Sequence, residues 1–364
     1  MRVLVVNAGS SSLKVKLLDH DDRPLAQHDL RADTGRFDDR AAGEALAAMA
    51  GIDAVGHRVV HGGARFQAAA RIDDEVERSL RSLAVLAPLQ QEPGLAAMDL
   101  VRRLLPGVPE VACFDTVFHS GLPDAASTYA VPRAWRDEHA VRRYGFHGLS
   151  HAYAARRAGE LVGRSVGELR TVSCHLGSGA SLAAVQGGAS VDTTMGFTPL
   201  EGLVMATRSG SVDPGIFLWL QRQAGLSAGD VNEALERQSG LLGLAGTPDM
   251  REVLDACGRG QPDARLALDV YVHRLVAAVA AMTAAMGGLD VLLFTGGVGE
   301  HAAPVRAAAA DRLGFLGVDV DGEANASAAP DADVSAPGAR VRTLVIVARE
   351  DLEIARQVRE ALGA

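Results

Sequence analysis

Val3-Leu-Val-Val-Asn-Ala-Gly-Ser-Ser-Ser-Leu-Lys-Val-Lys-Leu-Leu18 is the stretch from which the organisation of this 364-residue chain can be inferred. Its first four residues are all apolar, which is typical of a buried strand, and the alternating residues 13–18 predict a second strand. The small polar residues between them predict a hairpin tip whose backbone N–H groups can approach a phosphate closely. The tip is not a Walker A loop, because it leads into a strand. An ordinary hairpin with a solvated Lys14 is the alternative.

The second half of the chain opens with a similar pattern. Residues 171–176 and 180–185 predict two strands, and Gly177 and Ser178 stand between them as Gly9 and Ser10 do in the first half. The repetition predicts two related domains, each of which offers a hairpin tip to one phosphate chain. We expect the domains to cover residues 1–150 and 151–350, with the terminal helix 351–364 packing back on the first domain.

Composition restricts the class of protein. Apolar residues make up 48% of the chain and charged residues 22%, as in globular proteins, and the net charge of −9 argues against a nucleic-acid or anionic-membrane binder. The sequence contains no uninterrupted apolar run of about eighteen residues and no signal-peptide pattern, so we expect a cytoplasmic protein without a membrane segment. The three cysteines have no C-x-x-C spacing and predict neither a disulfide nor a zinc site.

Charged residues stand at the ends of two predicted strands of the first half. Arg58 lies in the strand 54–60, which runs into a double glycine, and a permanently charged guanidinium can bind a phosphoryl or carboxylate group through two bonds. The neighbouring histidines His57 and His61 could equally be structural. Asp115 follows the strand 110–114, where open α/β sheets place their ligands, as a metal ligand or as a simple cap.

Two stretches of the second half have the composition of binding segments. Residues 192–215 are dense in Gly, Thr and Ser and carry Glu201, Arg208 and Asp213, which is improbable for a plain connector and indicates an active-site segment. Residues 291–295 predict a buried strand, and the glycine turn after it lets the backbone approach a ligand. Glu350 opens the last helix, as a cap or as a ligand.

Taken together, these motifs resemble those of the acetate kinase family, within the superfamily of acetate and sugar kinases, heat-shock 70 proteins and actin. They follow the family order over nearly the whole chain: VNAGSSSLK, GHRVVHGG, CFDTVFH, RYGFHGLSH, CHLGSGAS, TPLEGLVMATRSG, SGLLG, FTGGVGE and EDLEIAR. The resemblance implies an α/β protein with the two-domain actin-like ATPase (ribonuclease H-like) fold, duplicated domains and the active site in the interdomain cleft. It also implies a homodimer.

By position, the resemblance implies four groups of site residues. The catalytic residues would be Asp115, Arg58, His147 and Arg208. The nucleotide would be bound by Asn7, Ser10, Ser12, Lys14, His175, Gly177, Ser178, Gly179, Asp249, Met250, Arg251, Gly297, Val298 and His301. The substrate pocket would be lined by Arg58, Val60, Leu89, Phe146 and Pro199. Asn7 and Glu350 would hold Mg²⁺, with Mn²⁺ as an alternative.

The implied reaction is the reversible transfer of the ATP γ-phosphoryl group directly to acetate. The acceptor carboxylate is already ionised at neutral pH, so no general base is required, and Asp115 is assigned to the metal and to orientation. Arg58 and Arg208 would neutralise the charge of the group in transfer, and closure of the domains about a hinge would exclude water. The alternatives are a propionate or other short-chain acyl kinase, a phosphoryl donor other than ATP, or an actin-like ATPase without kinase activity.

The chain departs from the usual family pattern at several positions near these residues. Gln90-Gln-Glu-Pro-Gly94 replaces the segment H-N-P-P-N, and Ser178 replaces the asparagine of H-L-G-N-G. His301 replaces the asparagine that ends G-G-I-G-E-N, and Arg349 lies in a changed T-N-E-E segment. The charged catalytic candidates are all retained, so the departures bear on nucleotide preference and on the length of the acyl chain.

Overall fold

The computed structural model describes residues 1–8, 12–33, 36–37, 39–86, 88–329 and 331–364. These residues form two compact units. The first unit comprises Met1–Gly121, Phe146–Tyr153 and Arg349–Ala364, and the second comprises Leu122–Gly145 and Ala154–Ala348.

Thirteen strands are present in the described residues, and they form two sheets. In chain order they are β1 (Val3–Ala8), β2 (Ser12–Leu18), β3 (Pro24–Asp33), β4 (Arg36–Phe37), β5 (Ala54–Val59), β6 (Ala70–Arg71), β7 (Glu110–Phe114), β8 (Arg170–Leu176), β9 (Ala180–Gln186), β10 (Ala189–Thr193), β11 (Val291–Thr295), β12 (Ala332–Asp333) and β13 (Arg342–Val345).

The same residues form fifteen α-helices. They are α1 (Asp39–Ala47), α2 (Asp74–Ser82), α3 (Pro88–Leu104), α4 (Asp124–Ser127), α5 (Arg133–His139), α6 (Gly148–Val162), α7 (Pro214–Gln223), α8 (Ala228–Arg237), α9 (Gly240–Ala245), α10 (Met250–Gly258), α11 (Pro262–Ala285), α12 (Gly296–His301), α13 (Ala303–Leu313), α14 (Gly322–Ala326) and α15 (Glu350–Leu362).

The two sheets repeat one topology. The first has the strand order β4-β3-β2-β1-β5-β7-β6, and the second has the order β10-β9-β8-β11-β13-β12. In each, an antiparallel hairpin (β1–β2 or β8–β9) is followed by two parallel strands, β5 and β7 or β11 and β13. The predicted α/β class and the duplication of the domains are confirmed.

The central strand β1 of the first sheet is buried on both faces, and its sequence shows how this is achieved. Leu4 and Val6 lie in one apolar cluster with residues of α1 and α3. Val3 and Val5 lie in another cluster with Ile354 of α15. Because successive side chains of a strand point to opposite faces, a continuous apolar run is what a central strand between two helical layers requires.

The observed division differs from a single boundary at residue 150. Leu122–Gly145 groups with the second unit, because its backbone and side chains are bound there. The guanidinium of Arg143 donates to Thr194 O (3.1 Å) and Met195 O (3.0 Å), and Tyr144 N donates to Gly196 O (3.0 Å). These bonds join residues about fifty positions apart.

Helix α11 is long and apolar enough, by length and composition alone, to span a membrane, with a mean hydropathy of 1.4 over its most apolar window. Within the second unit it contacts α9, α10, α13 and the strands β8 to β10. Ala267, Tyr271, Leu275 and Val279 are buried there. The core helix of a globular domain passes the same test, and this packing explains the apolar stripe of α11.

Candidate active site

Four predicted site residues meet at one edge of the first sheet. The parallel strands β1, β5 and β7 end at the same edge, so Asn7, Arg58 and Asp115 are neighbours. Arg58 Nε and Nη2 donate to the two oxygens of Asp115 (3.1 and 2.5 Å), and Arg58 Nη1 donates to Asn7 Oδ1 (3.3 Å). Asn7 Nδ2 donates to Glu350 Oε2 (3.2 Å), at the start of α15. We refer to these four residues as the ionic cluster.

Burial and charge act in opposite directions in the ionic cluster. Burial lowers the pKa of Arg58, but the carboxylates of Asp115 and Glu350 outweigh it, so the net pKa lies above its usual range. Burial raises the pKa of Asp115, and the charge of Glu350 raises it further, against the opposing effect of Arg58. Two carboxyl groups facing one guanidinium make the cluster receptive to a further cation.

The segment that carries Phe146 and His147 is fixed beside the ionic cluster. Gly148 N donates to Asp115 O (2.8 Å), and His119 Nε2 donates to Phe146 O (3.1 Å). A Cβ at residue 148 would collide with the Asp115 carbonyl, so this approach requires glycine. His147 has a φ of +56°, a backbone conformation that costs energy in a residue other than glycine and is found at functional sites.

Two of the predicted pocket residues of the first unit, Val60 and Phe146, have described surroundings. Phe146 is buried, with the ring of His61 edge-on at 5.4 Å. Val60 follows β5 and lines a cavity of about 10 Å³, which is close to the room that one water requires. Leu89 lies in α3, and its side chain is outside the described part of the structure.

Sequence reasoning missed Gln91, which closes the same region. Its side-chain Oε1 accepts from His61 N (3.1 Å) and its Nε2 donates to His61 O (3.3 Å). The Gln91 amide therefore pairs with the backbone N–H and carbonyl of His61, as a residue of a neighbouring strand would. Gln91 falls in the segment where the chain departs from the family pattern, and that departure was the only available signal. His57 is structural, with Nε2 2.8 Å from Glu110 Oε2.

The first hairpin tip is described only in part. Ser10 lies outside the described residues, and Ser12 begins β2 with a side chain that is also outside them. Lys14 stands directly opposite Asn7 in the register of β1 and β2, and its side chain is exposed. Directly paired residues of antiparallel strands share a face, so Lys14 and Asn7 project to the same side of the sheet.

Two glycine-rich turns meet at the corresponding edge of the second sheet. His175 of β8 is paired with Thr295 of β11, so the tip at residues 177–179 and the turn at residues 296–298 stand side by side. A Cβ added at Gly177 would lie 3.6 Å from His175 Nε2 and 4.0 Å from Gly297 N. The structure thus brings together six of the predicted nucleotide-binding residues: His175, Gly177, Ser178, Gly179, Gly297 and Val298. His301, at the end of α12, is exposed.

Three further predicted nucleotide-binding residues lie at the start of α10. Asp249 caps this helix by accepting a bond from Arg251 N (2.9 Å), and the Arg251 guanidinium folds back on the same carboxylate at 2.6 Å. The Arg251 side chain is exposed, whereas Met250 is buried.

Arg208 and Pro199 lie on the segment between β10 and α7. Arg208 Nη1 donates to Pro199 O (2.6 Å), and Ala206 N donates to Ser178 O (3.1 Å) at the second hairpin tip. Burial lowers the pKa of Arg208, against the opposing charge of Glu236. A guanidinium remains charged at neutral pH even when its pKa is lowered. The segment predicted to belong to the active site therefore carries both Pro199 and Arg208, and it is bound to Ser178 at the second hairpin tip.

The chain is similar in sequence and fold to known proteins over nearly its whole length. Residues 38–356 match the model of the acetokinase family. An acetate kinase of Gloeobacter violaceus is 45% identical, with 98% of each chain aligned. The crystal structure of Porphyromonas gingivalis acetate kinase matches with a TM-score of 0.91 at 36% identity, covering 99% of each chain. A propionate kinase structure from Francisella tularensis matches with a TM-score of 0.90 at 33% identity and 99% coverage of each chain. The chain therefore belongs to the acetokinase family.

Proposed function

We propose that this chain is an acetate kinase, which transfers the γ-phosphoryl group of ATP to acetate and forms acetyl phosphate and ADP reversibly. The ionic cluster is the observation that carries the proposal. Arg58 is fixed by two bonds to Asp115 (3.1 and 2.5 Å) and remains charged. A preorganised guanidinium is the group that a phosphoryl transfer between two anions requires.

Asp115 acts by orientation in this mechanism. Both of its carboxylate oxygens accept bonds from Arg58, so they are committed to holding the guanidinium. The acceptor acetate carries no proton that must be removed, because a carboxylate is ionised at neutral pH. Arg58 and Arg208 neutralise charge on the group in transfer, His147 assists them, and the transfer is direct and in line.

The ionic cluster also fits the divalent ion that the family resemblance implies. Mg²⁺ prefers oxygen ligands and is usually held by one or two carboxylates together with substrate phosphates and water. Asn7 and Glu350 would hold the ion, with Asp115 close by, and Mn²⁺ accepts the same ligands. When bound, the ion neutralises charge on the ATP phosphates.

Propionate is the second candidate substrate. It is favoured by the similarity to the Francisella tularensis protein, which is called a propionate kinase. One methylene group changes binding in an apolar pocket by only about 1–3 kcal/mol. Acetate is therefore expected as a preference over propionate, and the two acids should be compared in the same assay.

We further propose a cytoplasmic homodimer that associates through α7. Within α7, all of which the structure describes, none of the residues is buried. The exposed fractions are 44% for Ile216, 53% for Leu218 and 61% for Trp219, and Val212 and Leu226 beside the helix are also exposed. Several large exposed apolar side chains on and beside one helix are typical of a protein interface. The apolar stripe of α11, by contrast, is buried within its own unit.

The substitution Trp219→Glu tests the dimer. A carboxylate at the centre of the α7 surface would have to be desolvated on association, so we expect a monomer at micromolar concentration where the unmodified chain is a dimer. Sedimentation velocity measures the mass. Leu266→Glu, at an equally exposed apolar residue of α11, is the matched control and should remain dimeric. A dimeric Trp219→Glu variant would exclude this surface.

The activity itself is tested by trapping the product. Purified protein with Mg-ATP and acetate or propionate should give acyl phosphate, which hydroxylamine converts to a coloured hydroxamate. Arg208→Ala should abolish the signal, since an arginine at the transferred group is worth about 10³ to 10⁵ in turnover. Arg237→Ala, at an exposed arginine that lies 3.6 Å from Glu233, should retain it. Absence of product with both acids from the folded protein would refute the proposed function.

A further inference from the structure

Behind Pro199 and Arg208, the second unit contains a group of three polar side chains to which neither the comparisons nor the family resemblance gives a role. Tyr129, Arg143 and Glu201 form it, and we refer to them as the brace. The Tyr129 hydroxyl donates to Glu201 Oε2, and Arg143 Nη2 donates to Glu201 Oε1 (2.8 Å). Both oxygens of the Glu201 carboxylate are therefore held by residues of the segment Leu122–Gly145.

The brace also fixes the backbone on the other side of Pro199. Phe197 N donates to the Tyr129 hydroxyl oxygen (3.1 Å), and Arg143 Nη1 donates to Thr194 O and Met195 O (3.1 and 3.0 Å). The Arg143 guanidinium lies over the Tyr129 ring at 5.3 Å. This cation–π contact stabilises the observed orientations of both side chains. The chain is thus anchored two residues before Pro199 and again two residues after it, at Glu201.

The packing of the brace leaves little freedom for this segment. A Cβ added at Gly196 would overlap the Tyr129 hydroxyl and the Glu201 carboxylate, so the backbone passes directly over them. Burial first, and then the bond to Glu201, raise the pKa of Tyr129 well above its usual range. The hydroxyl consequently remains a donor at every pH at which an enzyme of this class is assayed.

The anchored segment also carries Arg208. Gly202 and Ser211 close the segment through two bonds, from Ser211 N to Gly202 O (2.9 Å) and from Gly202 N to Ser211 Oγ (3.1 Å). Within this closed loop, Arg208 Nη1 donates to Pro199 O (2.6 Å). The position of the Pro199 carbonyl therefore determines where the Arg208 guanidinium is held, and the brace determines the position of Pro199.

We propose that Tyr129 and Arg143 are positioning residues, which act through Glu201 to fix the pocket residue Pro199 and the guanidinium of Arg208, and so set the preference for acetate over propionate. The inference rests on the proposed function. Loss of the Tyr129 hydroxyl leaves an oxygen of Glu201 and the amide of Phe197 without their partner. The pocket wall at Pro199 then moves to accommodate propionate, and Arg208 spends less time in its productive orientation.

Tyr129→Phe tests the proposal, with Tyr144→Phe as the matched control. Tyr144 lies on the same segment, and its hydroxyl donates to Ala140 O (2.9 Å), away from Glu201. For Tyr129→Phe we expect kcat/KM with acetate to fall roughly tenfold, and the ratio of acetate to propionate kcat/KM to fall by at least about threefold. KM for ATP should stay within about twofold, because the brace does not include the glycine turns. Tyr144→Phe should leave all three values at those of the unmodified chain.

A second measurement does not depend on activity. Amide hydrogen exchange of peptides covering residues 194–202 should be faster in Tyr129→Phe than in the unmodified chain and in Tyr144→Phe. Unchanged exchange, or an unchanged acid preference in an active Tyr129→Phe enzyme, would overturn the inference. If the unmodified chain forms no acyl phosphate, the proposed function fails, and the exchange result then shows separately whether the brace orders the segment.

Discussion

The carboxyl edges of the two sheets have the same topology and different chemistry. At the first edge, β5 carries Arg58 and β7 is followed by Asp115, and these residues are joined by an ion pair at 2.5 Å. At the second edge, β11 ends in Thr295 and β13 is followed by Ile346, and the turns are made of glycine and serine. A duplicated fold therefore fixes where a site can form, and the side chains at each edge decide whether it carries charge or leaves backbone open to a ligand.

We refer to the carboxyl edge of the first sheet, with Arg58 and Asp115, as the charged edge. The largest expected effect is that of a substitution at this edge on turnover. Arg58→Ala should lower kcat by about 10³-fold or more, because the guanidinium that offsets charge in the transition state is lost. Arg58→Lys should recover only part of the activity, since an ammonium cannot bind both oxygens of Asp115 in a fork. The hydroxamate assay measures both variants. An Arg58→Ala enzyme within tenfold of the unmodified chain would mean that the charged edge is not the site of transfer.

The next effect concerns the stability of the charged edge and its dependence on pH. Burial lowers the pKa of His119 to about 4, whereas an unfolded histidine titrates near 6.5. Below about pH 6.5 the unfolded chain therefore binds a proton that the folded chain does not. The stability that this difference represents is fully present above that pH and is lost as the pH falls toward 4.

His119→Gln removes the titration and keeps an N–H donor for the Phe146 carbonyl. Between pH 7.5 and pH 5, the unmodified chain should lose about 2 kcal/mol more unfolding free energy than His119→Gln. Urea unfolding at several pH values measures the difference. His20→Gln, at an exposed histidine, should follow the unmodified chain. Parallel curves for His119→Gln and the unmodified chain would show that His119 is not held neutral.

We refer to the carboxyl edge of the second sheet, with the turns at residues 177–179 and 296–298, as the glycine edge. The smallest expected effect is that of a substitution at this edge on KM for ATP. Apart from its own local backbone, a Cβ added at Gly297 or at Gly314 meets no described atom within 4 Å, so both positions have open space for a side chain. Gly297→Val should raise KM for ATP about tenfold, or about 1.4 kcal/mol, by keeping the nucleotide from the backbone. The kcat at saturating ATP and the melting temperature should not change. Gly314→Val should leave KM for ATP unchanged. If Gly297→Val also has the KM for ATP of the unmodified chain, residues 296–298 are not part of the nucleotide site.

Much of this contrast could be predicted from the sequence because it depends on local patterns. Apolar runs predicted β1 and β11, and Arg58 and Asp115 were each predicted at the end of a strand, where open α/β sheets place their ligands. The glycines after β11 predicted a turn whose backbone a ligand can approach closely. These features require only strand periodicity and the chemistry of single residues.

The parts that the sequence did not reveal depend on contacts between distant residues. Gln91 is recognisable as a partner of His61 only in the folded structure, where α3 begins at Pro88 and carries the Gln91 amide to the His61 backbone. Leu122–Gly145 belongs to the second unit because of bonds from Arg143 to the strand end near Thr194. Burial also cannot be inferred from composition alone. One stripe of α11, which includes Tyr271, Leu275 and Val279, is buried, whereas none of the residues of α7 is buried.

The ATP dissociation constant of Arg58→Ala, measured by calorimetry beside acetyl phosphate formation on the same preparation, tests most directly whether Arg58 acts in phosphoryl transfer and not in nucleotide binding. We predict a dissociation constant within about threefold of that of the unmodified chain, together with a loss of product formation of about 10³-fold or more. A loss of ATP binding as large as the loss of turnover would contradict the account, because Arg58 would then act mainly by binding the nucleotide.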